Sequence, residues 1–233
     1  MALTMLPDIT GEEYYNIFCD ASIKTFEDGV TIGCAGAIGM HGNKKDMWRY
    51  QIVPATTNNN SEITAMFLAV ELALVARQFY KNINVFSDSK ICVFGIRHWY
   101  EGWLRNMDEN GVLYGSNGAP VANQEIFKDV MRFVLQNELK FNLYHQKGHV
   151  TNTKESMANA LSVFRVSNKM DISEQNLRYI TKGNIEVDKT TKAHLKLINS
   201  SNGYRTPINR VFNSIVTYDD VPKYSRLVGG GKI

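Results

Sequence analysis

The period of the apolar residues changes at Asn58, after three strand-like runs, and that change restricts the fold more than any other feature. Residues 14–24 are rich in aromatic and β-branched types, 30–40 are small and apolar, and 47–53 alternate. The turns between these runs, Glu27-Asp28-Gly29 and residues 41–46, are short. Three strand-length runs so connected predict an antiparallel meander. From Asn58 the period lengthens. Asn58, Asn59, Asn60 and Ser61 are N-cap types, and Ile63, Met66, Phe67, Val70 and Leu74 follow at helical spacing.

Strand and helix then alternate. Residues 83–87 read as a short buried strand, and 89–105 as a helix broken near Gly95. A turn-rich stretch over 108–120 precedes an amphipathic helix marked by Ile126, Phe127, Val130, Phe133 and Val134. A strand over 140–145 and a helix over 153–164 follow. The order βββ-α-β-α-α-β-α predicts an α/β fold: a five-stranded mixed sheet, three strands in an antiparallel meander plus parallel strands, with helices against it. Residues 1–13 read as a loose leader and 14–164 as the domain. The remaining 165–233 form an extension with short helices over 172–180 and 190–198, a strand over 211–218 and a loose tail from Gly229.

Charge separates the same two regions. Residues 1–164 hold 14 Lys and Arg against 17 Asp and Glu; residues 165–233 hold 12 against 6. A basic tail of this kind draws a polyanion. Cys19, Cys34 and Cys92 match neither a disulfide framework nor zinc spacing, and each lies in an apolar run, so buried reduced thiols are expected. No stretch has a signal-peptide layout or membrane-spanning length, which predicts a cytoplasmic chain with no membrane partner.

Four polar positions stand where a packed domain wants apolar residues. Asp20 ends the run Ile17-Phe18-Cys19, Glu62 opens the long helix, Asp88 closes Val85-Phe86-Ser87, and Asn159 lies in the helix over 153–164. Carboxylates at the ends of adjacent strands converge, and a converging set is stable only with a cation between them. Hard oxygen ligands favour magnesium or manganese.

These residues carry a family resemblance. Cys19-Asp20-Ala21-Ser22 resembles the first-strand aspartate motif of type 1 ribonucleases H. Thr57-Asn58-Asn59-Asn60-Ser61-Glu62 matches the family's threonine-asparagine-asparagine run with its catalytic glutamate. Phe86-Ser87-Asp88-Ser89 is similar to its third acidic motif, and Trp99 and Trp103 fall at the spacing of its paired tryptophans. Pro120-Val121-Ala122-Asn123 and Lys147-Gly148-His149 also match, so the resemblance runs from about 14 to 164.

The resemblance implies endonucleolytic hydrolysis of the RNA strand of an RNA–DNA hybrid with two magnesium ions, manganese substituting, to leave 3′-hydroxyl and 5′-phosphate ends. By similarity Asp20 bridges the ions, Glu62 and Asp88 complete the leaving-group site, and His149 assists proton transfer or product departure. Thr57 and Asn123 would form a pocket for a DNA phosphate, with Trp103 against the DNA backbone. Main-chain groups after Asp20, at Ser22, together with Asn58, Asn59 and Glu62, would read ribose 2′-hydroxyls.

Three departures qualify the match. The family's fourth carboxylate falls on Asn159, an amide, which would hold the water-activating ion more weakly. The arginine often found two residues before the threonine is Ala55. The basic handle after the tryptophans is thin, since Leu104-Arg105-Asn106 runs into Asp108 and Glu109. Grip on phosphates would then fall to the tail, where Lys189, Lys192 and Lys196 share a helical face. Two other readings fit: a catalytically weakened nucleic-acid-binding relative, and a DNA-directed nuclease of the same fold.

Overall fold

The computed structural model describes residues 2–54, 57–198 and 215–230. The meander forms as expected. Strand β2 (Tyr14–Thr25) pairs antiparallel with β3 (Thr31–His41), and β3 pairs antiparallel with β4 (Lys44–Pro54). Helix α1 (Asn58–Ala76) follows, its N-cap Thr57 accepting from the Asn60 main-chain N–H at 3.4 Å. Next come β5 (Asn82–Ser87), α2 (Lys90–Phe94), a π-helical turn over Gly95–Trp99 and α3 (Tyr100–Arg105), which locate the break near Gly95. Helix α4 (Gln124–Gln136), β6 (Phe141–His145) and α5 (Lys154–Asn168) complete the alternation. Strand β5 lies parallel between β2 and β6.

The leader is ordered, contrary to expectation. Its strand β1 (Thr4–Met5) pairs parallel with β7 (Met170–Asp171), and Leu6 and Ile9 are buried. Asn176 fixes it further, donating to the Pro7 carbonyl at 2.7 Å and accepting from the Ile9 main-chain N–H at 3.2 Å. The two short helices expected over 172–180 and 190–198 are one continuous helix, α6 (Glu174–Lys196). The described residues before the end of the tail are also bound. After a 3-10 turn at Tyr218–Asp220 and helix α7 (Val221–Leu227), β8 (Val228–Gly229) pairs parallel with β6 and adds a sixth strand, giving the order β4-β3-β2-β5-β6-β8. Of the strand expected over 211–218, residues 211–214 lie outside the described residues, and Tyr218 begins the 3-10 turn instead. No described helix is long and apolar enough to cross a membrane. Cys19, Cys34 and Cys92 are buried and unbridged.

Each face of the sheet has its own core. Successive side chains on a strand point to opposite faces, so Tyr15, Ile17 and Cys19 of β2 meet Met66 and Phe67 of α1. Phe18 points the other way, into a cluster with Phe86, Tyr144, Phe164 of α5, and Leu177, Ile180 and Val187 of α6. Helix α6 crosses β2 and β3 on that second face. At the crossing, a Cβ on Gly183 would stand 2.5 Å from the Phe18 ring. Only glycine lets the helix lie this close. A buried ladder pins the register beside it: Asn84 donates to Asn16 at 3.0 Å, and Asn142 to Asn84 at 3.1 Å.

Candidate active site

Strand parity decides which side of the sheet carries the site. Asp20 and Ser22 share the face of Phe18, two and four residues along β2, and Asp88 follows Phe86 of β5 by the same step. These carboxylates therefore face the side covered by α6. There an open cleft of about 870 Å³ is lined by Asp20, Glu62, Asp88 and His149, as the sequence suggested, and also by Asp188.

Hydrogen bonds set each carboxylate. Asp20 accepts from the Ala21 main-chain N–H at 2.7 Å. Glu62, one turn into α1, accepts from the Asn58 amide and from the Ser89 hydroxyl, the latter at 2.5 Å. Asp88 accepts from the Asn184 amide at 3.4 Å, and its carboxylate lies against Gly148, where a Cβ would stand 2.1 Å from Oδ2. Any side chain at 148 would displace Asp88. Asp188, on α6, pairs with Lys192 Nζ at 2.8 Å.

The electrostatics show how crowded the cluster is. Burial, then the charge of Asp88, then those of Asp188 and Glu62, push Asp20 up to about 8, against the lowering effect of its Ala21 hydrogen bond. Asp88 is also raised, chiefly by burial and further by Glu62, while Asn184 and His149 act in the opposite direction. Acidic groups that raise one another's affinity for protons have the same reason to take up a cation. Among the described residues no three His, Cys, Asp or Glu groups already converge on one ligating point. Asn58, Ser89, Asn184 and Lys192 occupy the carboxylate oxygens instead. Four carboxylates with no thiolate fit a hard divalent ion.

Asn159 is not part of this arrangement. Helix α5 buries Ala160 and Phe164 and leaves Asn159 exposed, outside the lining of the cleft. The residue that sequence reasoning missed is Asp188. A signal existed: Asn184 and Asp188 are one turn apart, flanked by the inward-facing Ile180 and Val187. His145 was missed too. It is buried, held neutral with its pKa pushed down to about 4 by that burial, and sits with Nε2 3.2 Å from the Asp88 carbonyl and Nδ1 2.8 Å from the Ser167 hydroxyl.

The remaining expected contacts divide. Thr57 caps α1, and Asn60 of the same turn donates to Asn123 at 3.5 Å, which brings Asn123 to that helix N-terminus. Asn123 has φ of 55° and precedes α4. Asn58 lines the cleft; Asn59, half-buried in the same turn, does not. Ser22 lines it with its hydroxyl 2.8 Å from that of Thr191 on α6. Trp103 is half-buried, its ring edge-on to Phe127 at 5.0 Å, while Trp99 beside it is the more exposed. His149 sits at φ 52° in the loop between β6 and α5. Of the three tail lysines, Lys192 and Lys196 line the cleft together with Lys24; Lys189 is exposed outside it.

Comparison with known proteins agrees with this fold. The family model described as RNase H matches residues 12–167. A ribonuclease HI of Rickettsia prowazekii is 26% identical over 159 residues, covering 66% of this chain and 96% of that protein. A ribonuclease H of Methylobacillus flagellatus is 29% identical over 147 residues, covering 60% of this chain and 88% of the relative. Among solved structures, the solution structure of the PFV RNase H domain superposes with a TM-score of 0.54 at 17% identity, covering 81% of this chain and 98% of that one. The family match ends before α6, the helix that carries Asp188.

Proposed function

Because the chain belongs to the RNase H family, we propose that it hydrolyses the RNA strand of RNA–DNA hybrids, with divalent metal held by Asp20, Glu62, Asp88 and Asp188. The observation that carries this is one cleft lined by acidic side chains from a strand end, a helix start, a second strand end and the tail helix. The relatives named above bear the same activity in their names. Two magnesium ions, with manganese as a substitute, would supply the charge that activates water and neutralises the departing oxygen.

The chain's own residues do the rest. Asp20, the carboxylate pushed up to about 8 by burial and its acidic neighbours, would be a ligand of the metal. Asn58 and Ser89 aim Glu62, Asn184 aims Asp88, and His145 holds the main chain at Asp88. Water adds across the P–O3′ bond, leaving a 5′-phosphate and a 3′-hydroxyl, and His149 at the cleft edge is placed to move the proton. Thr57 and Asn123 at the start of α1 form a site for a DNA phosphate. Trp99 and Trp103 flank the DNA strand, and Ser22 and Asn58 lie where ribose 2′-hydroxyls would be read. With Asp188 as fourth carboxylate, the amide of Asn159 gives no ground for expecting weakened catalysis.

A substrate panel tests the reading. The full chain, in magnesium and in manganese, should cut the RNA of a hybrid and leave duplex DNA and duplex RNA intact. Cleavage of duplex DNA in preference to hybrid would assign the cleft to a DNA-directed nuclease.

A further inference from the structure

Helix α6 places a cation directly on the site's own ligand. Lys192 Nζ lies 2.8 Å from Asp188 Oδ2, one turn along the helix, and both residues line the cleft. Lys192 is half exposed, with its side chain at 52% of full accessibility, so it has solvent to move into. Lys196, one further turn on, and Lys24 at the end of β2 line the same cleft. Lys24 lies over the Phe26 ring at 4.5 Å. The cleft lining thus carries three ammonium groups beside four carboxylates.

We propose that Lys192 is an exchangeable counter-ion, which holds Asp188 in the substrate-free cleft and passes to a phosphate of the bound strand when a divalent cation takes Asp188. This rests on the metal-dependent reading above and adds a coupling to it. A lysine and a divalent cation compete for the same oxygens, so Lys192 weakens cation binding in the empty cleft. Once displaced, its ammonium lies beside the position of the substrate backbone, where a lysine serves as a point charge for phosphate. Metal and substrate therefore favour each other's binding through one side chain, as linkage requires. Among the described residues no ion pair ties Lys24 or Lys196 to a carboxylate of the cleft, so they contribute to phosphate binding alone. Arg105, in the thin handle, is paired with Glu101 at 2.9 Å.

Two binding measurements on the full chain test this without turnover. Calorimetric titration with manganese alone should show Lys192→Met binding the cation roughly two- to fivefold more tightly than the native chain, as expected for removing a half-exposed competing ion pair. Hybrid binding in calcium should weaken about threefold or more in the same variant, with the salt slope lower by about one. Lys192→Arg should restore hybrid binding. Lys24→Met and Lys196→Met should weaken hybrid binding and leave manganese affinity at the native value. A native chain that binds manganese and cuts hybrid, alongside Lys192→Met with unchanged or weaker manganese affinity, overturns the exchange alone. A native chain that neither binds manganese nor cuts hybrid overturns the underlying reading and the exchange with it.

Discussion

Asp20 shows at the residue scale what the cleft costs the fold. Its carboxyl is pushed up from 3.8 to about 8, first by burial and then by Asp88. Between those two values the folded chain keeps this proton and the unfolded chain has released it. Stability without cation therefore falls as pH rises through that window, and is fully present only below it. Asp20→Asn removes the cost. In chelator at pH 8 the variant should melt above the native chain by ~2–8 °C, corresponding to ~1–2 kcal/mol for a domain of this size. The gap should close toward pH 4, and added magnesium should raise the native midpoint more than that of the variant. Equal midpoints at pH 8 would mean that charge crowding does not strain the site. The same buried carboxylates explain why Gly148 and His145 are needed nearby: one leaves room for Asp88, and the other holds its main chain.

At the scale of elements, the sequence was legible where apolar periodicity was uninterrupted. The meander, α1, β5, the break at Gly95, α4, β6 and α5 were all readable from it, and so were Asp20, Glu62 and Asp88, because each ends or starts a strongly patterned element. The pattern failed at α6. Gly183 and Asn184 interrupt its apolar stripe, so it read as two short helices, and Asp188 fell in the gap between them. The interruption has a tertiary cause: Gly183 lies on the Phe18 ring, and Asn184 bonds both Gln146, at 2.9 Å, and Asp88. Neither need is visible in local propensity. The leader and β8 were missed for a related reason, since two-residue strands carry no period and depend on partners far along the chain. Placing Asp188 by the helix that crosses Phe18 leads to a test. Gly183→Ala gains slightly in helix propensity but drives a methyl into a fully buried ring, so a net loss of ~1–3 kcal/mol is expected. Urea unfolding reads that loss, and hybrid cleavage should fall ~tenfold or more as α6 lifts Asp188 away. A variant with native stability and rate would mean that α6 tolerates a wider separation from the sheet.

Across the whole molecule, the region that read as a basic extension contributes α6, which packs on β2 and β3 and lines the acidic cleft. Its 12 basic against 6 acidic residues include Lys192 and Lys196 on the cleft wall, so the charge asymmetry of the sequence becomes an asymmetry of the site. The region that resembles the family supplies Asp20, Glu62, Asp88 and His149, and the helix beyond the family match supplies Asp188. The site is therefore complete only when both parts of the chain are folded together. Asn159, ten residues after His149, lies on the outer side of α5, where nothing in the cleft reaches it. The central claim is the identity of the fourth carboxylate, and magnesium-dependent cleavage of a labelled RNA–DNA hybrid by Asp188→Asn tests it most directly. The account predicts a loss of about a hundredfold or more in rate, ~2.7 kcal/mol of lost stabilisation, with Asn159→Asp within about twofold of native. A native rate in Asp188→Asn, or a rate that rises with Asn159→Asp, would contradict it.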